Sequence, residues 1–279
     1  MTPTVKPALS LLLVTVVLAL SGCRKTADEA PPATAAESAE SAADAPAADG
    51  PKLPRIDWWA PIAPIAARSY EGACKAMPDM KATGPIVVGT DGSVKHDTYS
   101  GTLGQSDVTL MRIVRNGVST ASLIAGNNDG VLTIMDQGGD QPDNVQLSIG
   151  DKGVSCGEAR DVLPLQGKTL YALYAKTITV PARKISCLKI SQMSTTSLDF
   201  ALQNDQLKLG DQVFDLRKAS TEQMIFKPSA GTTAGYSVMD GDKRRATVMY
   251  DEFGRLSDVQ VMIDGGDSYG CSNLNQPPA

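Results

Sequence analysis

"TIMDQGGDQPDNVQLSI" at Thr133–Ile149 and "TVMYDEFGRLSDVQVMI" at Thr247–Ile263 lie over one another without a gap, at a constant offset of 114 residues (133 to 247). Five of the 17 aligned positions are identical (Thr, Met, Val, Gln, Ile), and exchanges such as Ile134 for Val248 are conservative. Each copy then runs through a glycine-rich turn to a cysteine, "GDKGVSC" ending at Cys156 and "DGGDSYGC" ending at Cys271. Upstream, "CKAMPDM" from Cys74 stands opposite "CLKISQM" from Cys187. The cysteines of the two copies are 82 and 84 residues apart. A tandem duplication accounts for both observations.

The repeat also selects a disulfide pattern. Four cysteines beyond Cys23 permit three connectivities; the duplication favours Cys74–Cys156 and Cys187–Cys271, each joining the first and last elements of its own copy.

Within each copy, short β-rich runs are separated by turn residues at intervals of roughly 8–12 residues. The first copy reads "GPIVVG", "DVTLMRIV", "VSTASLIA", "GVLTIMD" and "NVQLSIG"; the second reads "SLDFAL", "QVFDL", "EQMIFK", "GYSVMD", "ATVMYD" and "DVQVMID". Val108, Leu110, Arg112 and Val114 alternate with their neighbours as one strand face should. "DGDKR" and "DEFGR" read as hairpin turns. Helical periodicity is confined to "PIAPIAARSYEGACKAM", where Pro64 opens a helix expected to carry Tyr70, Cys74 and Met77 inward. The expected fold is mainly β: two tandem antiparallel β domains of small-sandwich or open-barrel type, at 51–162 and 163–279, with a short helix before the first.

The segment before residue 51 is organised differently. Lys6 precedes an apolar run, Ala8–Leu20, that falls short of the roughly 20 residues of a spanning helix and reads as the core of a signal peptide, residues 1–22. Leu20-Ser21-Gly22-Cys23 follows, and it resembles the lipobox of bacterial lipoproteins. That resemblance implies cleavage before Cys23 and lipidation of its thiol. Arg24 and Lys25 follow the cysteine where an aspartate would favour inner-membrane retention, so the expected location is the outer membrane, lipid-anchored and facing the periplasm. Residues 23–50 continue as an Ala-rich, acidic tract broken by Pro31, Pro32 and Pro46, which offers no apolar surface to offset ordering entropy. It reads as a tether with a reach of roughly 25–30 Å. In an oxidising compartment, the even number of remaining cysteines fits two disulfides.

Composition narrows the function. A net charge of −5 lacks the basic footprint that nucleic acid requires, and 5% aromatic residues do not furnish an extended sugar-stacking platform. Trp58-Trp59 is a local exception, expected to cover the first domain, with docking on a partner as the alternative. His96 is the sole histidine, expected in an exposed loop or strand edge, and its solitude argues against His-ligated zinc and a Ser-His nucleophile. Gly266-Asp267-Ser268-Tyr269-Gly270 matches the G-x-S-x-G pattern of serine hydrolases, but a nucleophile elbow needs a helix, an acid and a histidine after it. The tail beyond Cys271 supplies no histidine, so Ser268 reads as part of a turn entering a disulfide. Asp136, Asp140 and Asp143 lack the spacing of an EF-hand loop and read as turn residues.

No catalytic residue, metal site or cofactor is therefore expected, and the chain reads as a non-enzymatic protein-binding module. Its layout resembles that of the periplasmic inhibitor and immunity lipoproteins that neutralise lysozyme-like or other antibacterial enzymes. The resemblance implies a periplasmic protein partner, for which the acidic balance favours a basic hydrolase or toxin. An envelope-assembly or wall-tethering lipoprotein is the alternative, and a carboxylate-dependent hydrolase a third reading.

Overall fold

In the computed structural model the described residues are 55–275, apart from 98, 104, 105, 128, 160, 166 and 228–232. The expected signal peptide, Cys23 and tether lie outside them. In chain order the elements begin with α1 (Ala63–Ala66), β1 (Ser69–Tyr70), β2 (Ala73–Met77), β3 (Lys81–Ala82), β4 (Ile86–Val88), β5 (Ser93–His96) and β6 (Tyr99–Thr102). They continue with β7 (Asp107–Arg115), β8 (Val118–Gly126), β9 (Val131–Asp136), β10 (Asp143–Ile149), β11 (Lys152–Ala159), α2 (Leu170–Ile178), β12 (Val180–Lys189) and β13 (Ser194–Gln203). The last are β14 (Gln206–Leu209), β15 (Gln212–Asp215), β16 (Thr221–Lys227), β17 (Thr233–Asp240), β18 (Arg244–Tyr250), β19 (Leu256–Ile263) and β20 (Tyr269–Cys271).

The protein is mainly β and antiparallel. Sixteen strands form one sheet in the order β15-β14-β13-β12-β20-β19-β18-β17-β16-β7-β8-β9-β10-β11-β2-β3, and β1, β4, β5 and β6 form a second, small sheet. Read outward from the β16–β7 junction, the large sheet repeats itself: β7 to β11, then β2 and β3, on one side; β16 to β20, then β12 and β13, on the other. Leu110 of β7 and Met224 of β16 are directly opposed, and they are separated by the same 114 residues as the sequence repeat (110 to 224). An approximate two-fold axis therefore passes through this pair.

Strand alternation explains the layering. Val108, Leu110 and Arg112 of β7 point to the buried side, as do Ala121, Leu123 and Ala125 of β8 and Ala246, Val248 and Tyr250 of β18. The disulfides fall where the duplication places them, Cys74–Cys156 across β2 and β11 and Cys187–Cys271 across β12 and β20. In the chain-entropy description, closing a loop of about 80 residues stabilises the fold by about 4.5 kcal/mol.

The two halves share one core, running from Trp58 to Cys271. Val162, Leu163 and Leu165, around the expected boundary between domains, are buried in it.

Two local expectations are corrected. The helix opened by Pro64 ends at Ala66, and Tyr70, Cys74 and Met77 lie in β1 and β2. Cys74 pairs in register with Cys156, so the apolar spacing that imitates a helix is set by strand pairing and the disulfide. A helix not anticipated from the sequence, α2, starts at Thr169, whose hydroxyl accepts from the Ala172 N–H, and buries Leu170, Tyr171, Tyr174 and Ile178.

Candidate functional site

At the junction of the halves a carboxylate is fully buried. Glu222 of β16 stands opposite Arg112 of β7, and its Oε2 accepts from Arg112 Nε at 2.7 Å and from the Leu170 N–H at 3.1 Å. Its Oε1 accepts from the Tyr236 hydroxyl at 2.7 Å and the Tyr171 N–H at 3.3 Å. Burial, reinforced by the adjacent carboxylate, pushes the Tyr236 hydroxyl well above its ordinary range, so it remains a donor. The cluster consumes the free N–H groups of the α2 N-terminus and pairs the buried guanidinium. It is a clamp holding α2 onto the seam. Sequence alternation groups Arg112 with Val108, Leu110 and Val114 on one strand face without saying that it is buried, and Glu222 leaves no sequence signal, because a buried carboxylate within a strand resembles an outward one. Next to the clamp an open cleft of about 330 Å³ is lined by Arg112, Lys168, Thr169 and Arg217, the last paired with Asp205.

Trp58 and Trp59 do more than cover the first half, and this corrects the expectation. Trp58 is buried among Tyr174, Phe226 and Tyr250, all of the second half, with ring centroids 6.2–6.4 Å away. The Tyr174 hydroxyl donates to its carbonyl at 3.1 Å. Trp59 turns the other way and donates from Nε1 to the Thr90 carbonyl.

His96 is neither exposed nor at an edge. It sits on β5, between β4 and β6, and is buried, with Nδ1 donating to the Pro85 carbonyl at 3.1 Å and Nε2 at 3.2 Å from Asp97. Ser268 ends a turn: its Oγ accepts from the Ile263 N–H at 3.0 Å. Among the described residues no group of three or more His, Cys, Asp or Glu side chains is disposed to hold a metal ion. Asp143 is buried and accepts from the Gln137 and Val162 N–H groups, and Asp136 accepts from the Gly138 N–H. Burial, with Asp143 and Asp161 nearby, raises the Asp136 carboxyl above its ordinary value.

The surface feature that stands out is methionine. The hairpins β2–β3 and β12–β13 are counterparts: Ala76 pairs with Lys81 as Lys189 pairs with Ser194, both displaced by 113 residues (76 to 189). At the same position in each loop stands a methionine with positive φ, Met80 at 55° and Met193 at 48°. These two are the most exposed large apolar side chains among the described residues, at 56% and 74%. Glycine and asparagine fill this backbone region most easily, so turn geometry does not account for methionine at both tips.

No family model, curated protein or solved structure matches this chain.

Around Met193 the apolar surface broadens. Ile190 donates its N–H to the Ser268 carbonyl, Leu188 pairs with Gly270, and Met262 projects from neighbouring β19. Leu188, Ile190 and Met262 are 37%, 39% and 42% exposed. The ion pair Lys189–Asp267, at 2.7 Å, and Arg245 rim the patch. The patch lies at the Ile263 end of β19, about 20 Å along the strand from its Leu256 end. At the Leu256 end both termini of the described chain converge: Ile56 donates to the Glu252 carbonyl and Leu274 to the Ser257 carbonyl.

Proposed function

We propose that this chain is a lipid-anchored protein of the outer membrane, facing the periplasm, that acts by binding another protein: an inhibitor or immunity protein against a cell-wall-targeting or other antibacterial enzyme. The observation that carries the reading is the exposed methionine in left-handed conformation at the same hairpin tip of both repeats. An apolar patch with a polar rim, such as the one around Met193, is the surface type that marks a protein interface. Methionine suits it, because a flexible thioether adapts to a partner's pocket. The Met193 end of β19 lies opposite the end where Ile56 and Leu274 are hydrogen-bonded, and the acidic balance of the chain favours a basic partner. The anchor itself rests on the lipobox resemblance at Cys23.

The test uses asparagine. Asn tolerates the left-handed backbone, so Met193→Asn and Met80→Asn remove the apolar tip while keeping the turn. Wild-type and variant lipoproteins serve as crosslinking baits in co-cultured cells. The reading is supported if an enzyme captured by wild type is lost with Met193→Asn and is inhibited stoichiometrically by wild type alone. Equal capture by both baits overturns it, as does capture of envelope-assembly machinery without inhibition. Incorporation of labelled palmitate that disappears in Cys23→Ala tests the anchor separately.

A further inference from the structure

The outer face at the centre of the large sheet is free of charge. On β9, β8, β7, β16, β17 and β18 the outward positions from the middle of each strand are Thr, Ser, Gln, Met, Ile or Gly. Outward charges occur only at strand ends, as Asp107, Arg115, Lys227 and Arg245. Along the central pair Thr109, Met111 and Ile113 stand opposite Ile225, Gln223 and Thr221. Charged residues make up 20% of the chain, and the solvated face of an antiparallel sheet is where they ordinarily collect. They do so elsewhere in this sheet: Lys184 of β12 and Asp199 of β13 form an exposed pair.

We propose that this face binds the same face of a second copy of the chain. Three observations choose that occupant. The chain's own approximate two-fold through Leu110 and Met224 crosses the middle of the face, so the face presents matching halves, and a second copy related by a two-fold lying between the two stacked sheets makes an isologous contact that closes at two subunits. Two chains of net charge −5 repel least where neither presents charge. Six strands about 4.8 Å apart and about five residues long give a patch of roughly 29 by 17 Å. Side-chain relief raises that area toward the ~800 Å² per partner of a specific complex. Two sheet faces then stack about 10 Å apart, with Met111 of each copy filling gaps between Thr and Ser side chains. The contact is separate from the methionine tips and does not depend on the partner proposed for them.

Sedimentation of the full-length chain, in detergent matched to the buffer density, reads the outcome. Wild type and Met193→Asn should both be dimers with a dissociation constant of about 10 µM or tighter. Met111→Lys/Gln223→Lys should be a monomer with an unchanged circular dichroism spectrum. Gln223→Cys, beside the axis, should form a self-crosslinked dimer on mild oxidation, which decides the matter if the lysine variant fails to fold. A monomeric wild type overturns the proposal. So does a dimer that survives the two lysines, or one that gives no Gln223→Cys crosslink.

Discussion

Glu222 shows how much one side chain carries in this protein. It is fully buried, neutralises Arg112 across the seam and accepts from two backbone N–H groups of α2. Glu222→Ala strands the guanidinium and opens the helix N-terminus, so it should cost about 3–5 kcal/mol in urea denaturation. Thr169→Ala, which removes only the hydroxyl cap, should cost about 1 kcal/mol. Two aspartates give opposite pH signatures. Burial raises the Asp136 carboxyl, so the native state binds its proton more readily and ionisation penalises folding. Asp136→Asn should therefore stabilise at neutral pH, with the gain fading as pH falls through the carboxylate range. Burial also acts upward on Asp251, but hydrogen bonds from Asn275, Arg255 and Phe253 outweigh it and hold the carboxyl low. Its contribution is present above the ordinary aspartate range and lost as pH falls through its lowered value. Asp251→Asn should destabilise at neutral pH and converge with wild type in acid, in the same denaturation series.

At the scale of elements, the hairpin tips and disulfides recur at corresponding places in both copies. Because Asn, whose short amide hydrogen-bonds locally, tolerates left-handed backbone better than Met does, Met80→Asn and Met193→Asn should leave stability unchanged or raise it by up to about 1 kcal/mol. A clear fall in Tm would mean that the methionines serve packing instead. Peptide mapping without reduction should join Cys74 to Cys156 and Cys187 to Cys271, and a Cys156–Cys187 peptide would contradict the fold. Strands such as β7 to β10 and β16 to β19 were legible because apolar and polar residues alternate along them, whereas β12, with four exposed residues in a row, was not. α2 was not, since "LYALYAKTI" is too short for periodicity to separate it from a strand. The false helix after Pro64 has the same origin, because Ile65, Tyr70 and Cys74 are buried by three different elements.

For the whole molecule, the decisive feature is that two repeats make one sheet with one core. Trp58, entering the second half from the N-terminal segment, belongs to that shared core. Heat or urea should therefore unfold the halves in a single transition, and Trp58→Ala should lower it by about 3–5 kcal/mol while keeping it single. Two resolved transitions would mean that the halves are separate domains. Indole, added to fill the space Trp58 vacates, should recover part of the loss by binding the native state alone.

The sequence by itself determined most of the long strands, the duplication and the two disulfides, because each leaves a local or periodic trace: alternation, a constant offset, nearly equal cysteine spacing. Which surface of each repeat meets the other carries no such trace. β7 and β16 are as apolar as their neighbours, and only burial of both inward faces decided that they pair edge to edge. The same decision buried Glu222, drew Trp58 into the second half and left a charge-free face at the centre of the sheet. These follow from contacts between residues more than a hundred positions apart, whose energies exist only once the chain has closed on itself.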